Sequence, residues 1–136
     1  MKTIEEVLVR MDQIVGDCKK QQSRIGYFAI LYRQVTRRVR DGILAGEFED
    51  NPRMEVLDVL FAKRFIDAYE LWKSGQKPTE SWRLAFEASK NSGHLVLQHL
   101  LFGINAHINL DLGIAASETM AGKDINGIKG DFDKIN

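Results

Sequence analysis

The chain of 136 residues has one cysteine, two prolines and three histidines. The single cysteine, Cys18, excludes an internal disulfide framework and suits a reducing compartment. Two prolines leave long stretches free to stay helical. Lys plus Arg and Asp plus Glu both number 19, so no global field gathers nucleic acid or an anionic membrane. Every long apolar run is broken by charge or glycine, which predicts no membrane-spanning segment. The opening "MKTIEEVLVRMDQ" has acidic residues inside its apolar pattern, unlike a signal peptide. A soluble, cytoplasmic protein without nucleic-acid or membrane partners is therefore expected. Hydrophobic residues make up 44% and charged residues 28%, and that balance with this length predicts a single domain over 1–136 around one core.

No segment alternates with period two, and the helical period dominates. "TIEEVLVRMDQIVGDC" opens with a Thr3-x-x-Glu6 capping box. It then sets Ile4, Val7, Leu8, Met11, Ile14, Val15 and Cys18 on one stripe. "RIGYFAILYRQVTRRVRDGILAGEF" predicts a second helix with Ile25, Phe28, Ala29, Tyr32, Val35, Val39 and Ile43 inward and Gly46 as its stop. A third helix is expected from an Asn51 N-cap, with Pro52 at its first position, to Gly75. A fourth lies between Pro78 and Gly93 with Trp82, Ala85, Phe86 and Ser89 inward, and Thr79 and Ser92 read as caps. A fifth runs from roughly Ser92 to Leu112. The Gly-rich remainder is part helix, part loop. The predicted architecture is all-α, a bundle of about five to six helices around a central buried helix, roughly 92–112.

That fifth segment, "QHLLFGINAHINLDLG", carries the candidate chemistry. His99, Gly103, His107 and Asp111 climb one face, with Gln98, Phe102, Asn105 and Asn109 beside it. Apolar side chains fill the remaining positions, so the helix is expected to be surrounded by protein. Each buried polar group left unpaired would cost about 1–3 kcal/mol, so these groups need partners. His107 and Asp111, spaced i, i+4, sit side by side. Two readings compete. Asp111 could accept from a ring N–H and fix the His107 tautomer in a structural network. Alternatively both could bind one divalent cation, zinc being favoured by the nitrogen ligand. His99, two turns away, belongs to a second polar contact or a pocket wall. Gly103 leaves room for a ligand or another backbone. On the third helix Asp58 interrupts the apolar stripe of Met54, Phe61, Ala62, Phe65, Tyr69 and Trp72 and needs a partner. It would face His107 or His99, or pair with an arginine of the second helix. Asp67 on the opposite side pairs with Arg64.

Arg33, Arg37, Arg38 and Arg40, with Lys19, Lys20 and Arg24, make the second helix basic, and Arg37 has Asp41 at i+4. This predicts an ion-paired, solvated face, since no basic excess or aromatic platform supports nucleic-acid binding. Cys18 continues an apolar stripe and reads as core. "KDINGIKGDFD" is similar to a calcium loop but has the wrong ligand register. Asp131 and Asp133 are expected to be exposed.

The phrases "RIGYFAILYRQVT", "MEVLDVLFAKRFIDA", "SWRLAFEA" and "LQHLLFGINAHINLDLGIAA" together resemble a bacterial family of all-helical proteins of unknown function. The QHLL-G-NAHIN-DL core is the most specific part. The resemblance implies no activity. It implies that relatives continue further, so that "DFDKIN" reads as an unfinished helix. The His107-x-x-x-Asp111 step is also similar to the helical HxxxD of zinc-dependent phospholipases C and single-strand nucleases. Three histidines are too few for their multi-zinc cluster, leaving at most one or two ions, with Asp58 as third ligand.

Two functions follow as expectations. One is a metal-dependent hydrolase of phosphoesters between the third and fifth helices. His107 and Asp111 would hold the cation, Asp58 would act as ligand or base, and His99 as a remote acid or base. Gln98, Asn105 and Asn109 would contact a small-molecule substrate. The other is a non-catalytic helical scaffold or small-ligand domain whose buried polar seam is structural, with a homodimer interface as one use of it.

Overall fold

The computed structural model describes residues 1–135; the last position of the expected domain lies outside them. Among the described residues there are seven α-helices and no strand. α1 (Ile4–Gln21) and α2 (Ile25–Leu44) form a tight helical hairpin, followed by α3 (Asn51–Lys73) and the shorter α4 (Glu80–Ser89). α5 (Val96–Ala106) runs through a π-helical turn (His107–Asp111) into α6 (Leu112–Thr119). A 3-10 turn (Ile125–Ile128) leads into α7 (Lys129–Ile135). The all-α bundle is as the periodicity predicts.

Local sequence explains the boundaries. Thr3 Oγ1 accepts from the Glu6 N–H at 3.2 Å, but the Glu6 carboxylate accepts from Lys2 N–H, so only half of the predicted capping box forms. All seven stripe residues of α1 are buried. On α2 the predicted stripe holds except at Val35, which is exposed. The α3 N-cap is Asp50, whose carboxylate accepts from Arg53 N–H at 3.0 Å; Asn51 is the first helical residue, one position earlier than predicted. Gly46 and Gly75 follow α2 and α3 at φ +71° and +78°, the left-handed conformation that ends a helix at least cost in glycine. α5 begins at Val96 because Gln98 Oε1 accepts from Leu95 N–H at 2.7 Å; Ser92 caps nothing. Thr79 stands at the N-cap of α4 without a side-chain cap bond.

The core gathers around Phe28, Tyr32, Phe61, Phe65, Trp82 and Phe86, drawn from α2, α3 and α4. α5 crosses α2 at Gly103, where a Cβ would stand 2.5 Å from Phe28 Cδ2. The space beside Gly103 is thus taken by an aromatic ring, not a ligand. Beyond the π turn, α6 packs on α3, burying Leu112, Ala115 and Ala116.

Further expectations are corrected here. The fifth helix is not enclosed: His99, Gly103, Ala106 and His107 face inward, while Leu97, Leu101, Ile104 and Ile108 are exposed. The apolar pattern runs round the helix, and one side of it is not covered by this chain's own core. Val96–Thr119 is also one continuous helix of 24 residues with a mean hydropathy of 1.2 in its most apolar window. By length and composition it would reach across a membrane, contrary to the run-by-run reading. Asp131 is fully buried: its carboxylate accepts from Glu49 N–H, Asp50 N–H and Arg53 Nη2 at 2.7–3.1 Å. That fixes α7 against the loop before α3. Asp133 is exposed as expected and pairs with Lys129.

A Gly103→Ala chain must push Phe28 aside. It should lose about 1–3 kcal/mol of stability in urea titrations; an unchanged midpoint would contradict the close α2–α5 crossing.

Candidate functional site: a buried carboxylate hub

Asp111 has no exposed surface. Its Oδ2 accepts from Trp82 Nε1 at 2.6 Å and faces His107 Nδ1 at 3.4 Å. Its Oδ1 accepts from Arg64 Nε at 3.2 Å. Donors from α3 and α4 thereby meet on a residue of the π turn. That turn is defined by the Leu112 N–H bonding to the His107 carbonyl five residues back, a wider winding than the α-helix. The indole N–H of a buried tryptophan needs an acceptor, and Asp111 provides it.

The His107 ring stacks on Phe61, with centroids 3.6 Å apart and planes 10° from parallel, and meets Tyr32 edge-on at 4.3 Å. Burial lowers its pKa to about 4 against the opposing pull of Asp111. The ring is therefore neutral near pH 7, and the neighbouring carboxylate places its proton on Nδ1. Burial alone would raise the Asp111 pKa, but the hydrogen bonds from His107 and Trp82, with the His107 and Arg64 contributions, hold it below the ordinary value. Asp111 is an ionised carboxylate with donors on both oxygens.

Asp58 is buried on α3 as its position in the stripe predicts, but it joins none of these groups by a hydrogen bond. Among the described residues it forms no salt bridge, with α2 or elsewhere, and its Oδ2 has no hydrogen-bond partner. Burial, then the nearby Glu55, raises its pKa to about 7. The Tyr32 hydroxyl and His107 Nε2 are likewise buried without partners. Burial, and then the charge of Asp58, holds the Tyr32 pKa well above its usual value.

The other predicted residues are dispersed. His99 is buried beside the rings of Tyr27 and His94, with neither ring nitrogen hydrogen-bonded. Burial, followed by the charges of His94 and Arg24, lowers its pKa. It lines a void of about 10 Å³ with Phe28, Trp82 and Gly103, room for about one water molecule. Gln98, Asn105 and Asn109 are exposed, not buried as predicted. Gln98 caps α5, and Asn109 donates to the Asn105 side chain. Their stripe points to solvent because the inner face is taken up by His99, Gly103 and His107.

Among the described residues no group of three or more His, Cys, Asp or Glu side chains is placed to hold a metal ion. The carboxylate oxygens that a cation would use on Asp111 already accept from Trp82 and Arg64. The larger hollows lie elsewhere, one of about 480 Å³ beside Trp72, Lys77, Arg83 and Lys90 and one of about 360 Å³ beside Val35, Arg38, Phe48 and Lys134. Arg64 reaches Asp111, and Asp67 pairs with Lys63 at 2.6 Å instead. The basic residues of α2 are ion-paired, Arg33 and Arg37 to Asp12, Arg38 to Glu47, and Arg40 to Glu5 and Asp41. Asp41 thus serves Arg40, not Arg37. Sequence reasoning missed Trp82 and Arg64 as hub members. The donor-only indole of a buried tryptophan was the available signal for the first; nothing local pointed to the second.

The family of unknown function DUF5995 matches residues 4–136, and the chain belongs to it. Neither the curated proteins nor the solved structures contain a match to the chain. The likeness to an all-helical family without assigned activity therefore stands, and nothing found supports the one to zinc-dependent phospholipases and nucleases.

Asp58 and His107 give stability opposite pH dependences. Folded Asp58 keeps its proton to about pH 7, so stability falls as pH rises from about 4 to 7. Folded His107 refuses a proton down to about pH 4, so stability falls as pH drops from 6.5 to about 4. Each effect is on the order of 3–4 kcal/mol across its window, and they oppose each other over most of it. Asp58→Asn removes the first. Its urea midpoint should fall steeply between pH 6.5 and 4.5, where the parent chain changes little. Parallel profiles would show that Asp58 does not hold its proton.

Proposed function

We propose that this member of the family of unknown function DUF5995 is a non-catalytic helical domain. Its His107–Asp111–Trp82–Arg64 hub is structural and seats the Val96–Thr119 helix so that the outer face of α5 is available for binding. One observation carries this reading: both oxygens of a carboxylate with no exposed surface accept from protein donors. A hydrolytic site needs water and substrate at its reacting groups, and a metal site needs free lone pairs. Asp111 is closed to water, and each of its oxygens already accepts from the chain.

The second reading is a zinc-dependent phosphoester hydrolase using His107, Asp111 and Asp58. It is favoured by one feature, the unpartnered His107 Nε2 and Asp58 Oδ2. It would require the hub to open, with the buried Trp82 donor left to find another acceptor at a cost of about 1–3 kcal/mol, while Arg64 turns to solvent.

The two readings separate in thermal melts with and without stoichiometric zinc. The structural reading predicts an unchanged melting temperature for the parent chain and a loss of about 2–4 kcal/mol in Asp111→Ala, moderated because Arg64 reaches solvent. A saturable zinc-dependent rise in melting temperature that disappears in Asp111→Ala would overturn it.

A further inference from the structure

Asp111 is one polar tie of the Val96–Thr119 helix to its neighbours. Toward the start of that helix the buried polar side chain is His99, 6% exposed. Its two ring nitrogens are withdrawn from bulk solvent, and neither meets a hydrogen-bonding group among the described residues. His99 stands one turn before Gly103 on the same face and enters the seam that α5 makes with α2 and α4. A buried donor or acceptor that has lost its hydration and gained no partner destabilises the fold, so the site calls for one.

The seam supplies both room and chemistry. His99 lines a void of about 10 Å³ whose other polar walls are Arg24 and Ser89. Trp82 also borders it, but the indole N–H already donates to Asp111. Arg24 Nη1 donates to the Ser89 carbonyl at 3.2 Å, which draws the guanidinium to the end of α4 and leaves it further N–H groups. Ser89 Oγ donates its proton to the Phe86 carbonyl at 2.5 Å, so its remaining capacity is to accept. Burial, followed by the charges of His94 and Arg24, lowers the His99 pKa. The ring is therefore neutral near pH 7, with one N–H and one lone pair to offer. These residues belong to three elements: Arg24 just before α2, Ser89 at the end of α4 and His99 within α5.

Size and polarity select the occupant. A void of about 10 Å³ is close to the least that holds one water molecule, which needs about two to four polar partners. Arg24 serves as donor, Ser89 as acceptor and His99 as either. Phosphate, carboxylates and organic ligands are too large. A cation would face the Arg24 charge with no carboxylate among the lining residues. An apolar solute would leave the His99 nitrogens unpaired. We infer that a single internal water molecule is built into the α2–α4–α5 seam, bound by a His99 ring nitrogen, the Arg24 guanidinium and Ser89 Oγ. It is the second polar tie of the long helix, and it stands apart from the hub, since neither Asp111 nor the scaffold reading enters it.

A high-resolution crystal structure of the full chain, from data collected at room temperature, tests this. One ordered water peak should occupy the void, within about 2.7–3.2 Å of a His99 ring nitrogen and of Arg24 or Ser89 Oγ. His99→Phe keeps a flat ring without nitrogens and should lose the peak. In solution, the Gly103 Cα protons at the wall of the void should cross-relax with long-lived water in the parent chain and not in His99→Phe. A parent void without a peak overturns the inference, as does a His99 ring bonded directly to a protein group. So does a peak with the electron count of chloride, or a water signal that persists in His99→Phe.

Discussion

An ionised carboxylate withdrawn from water costs several kcal/mol unless donors replace its hydration, and that requirement on Asp111 organises the bundle. The donors must be side chains, because backbone N–H groups in its own turn are already committed to helical bonds. They come from Arg64 on α3 and Trp82 on α4, with His107 completing the set. A residue that draws donors from α3 and α4 as well as from its own turn fixes where the three lie. The aromatic core then packs around that point, with His107 held between Phe61 and Tyr32 as one more flat ring.

The π turn lets one continuous helix serve two surroundings. Before it, α5 meets α2 and α4 through His99, Gly103 and Ala106; after it, α6 meets α3 through Leu112, Ala115 and Ala116. The wider winding lies where the packed face changes neighbours, and the hub sits inside it. With His99, Gly103 and Ala106 turned inward, α5 has an outer side that owes nothing to the core. That side carries exposed leucines and isoleucines. Asp131 does at the end of the chain what Asp111 does in the middle, drawing Arg53 and two backbone N–H groups onto α7.

Much of the fold was legible because helices announce themselves locally. The α1 stripe, the stops at Gly46 and Gly75 and the start near Pro52 depend on neighbours within a turn or two. His107 and Asp111 were legible as a pair for the same reason. Their partners were not, since Arg64 and Trp82 stand 47 and 29 residues from Asp111 and periodicity is blind to such distances. The fifth helix was misplaced in the core because hydropathy records the need for an apolar neighbour and not whose it is. Gln98, Asn105 and Asn109 followed the same error to an imagined pocket. Asp131 was assigned to solvent because acidic tails usually are; only the folded chain shows the loop N–H groups awaiting a carboxylate.

The central claim is that Asp111 holds the bundle together through its donors, and a double-mutant cycle between Trp82 and Asp111 reads that directly. Trp82→Phe keeps the ring and removes the indole donor, Asp111→Leu keeps the volume and removes the acceptor, and both together remove the pair. Unfolding free energies of the four chains should yield a coupling of about 1.5–3 kcal/mol, as for a hydrogen bond to a charged group. Strictly additive losses would contradict the account, since the carboxylate and the indole would then be neighbours that do not hold each other.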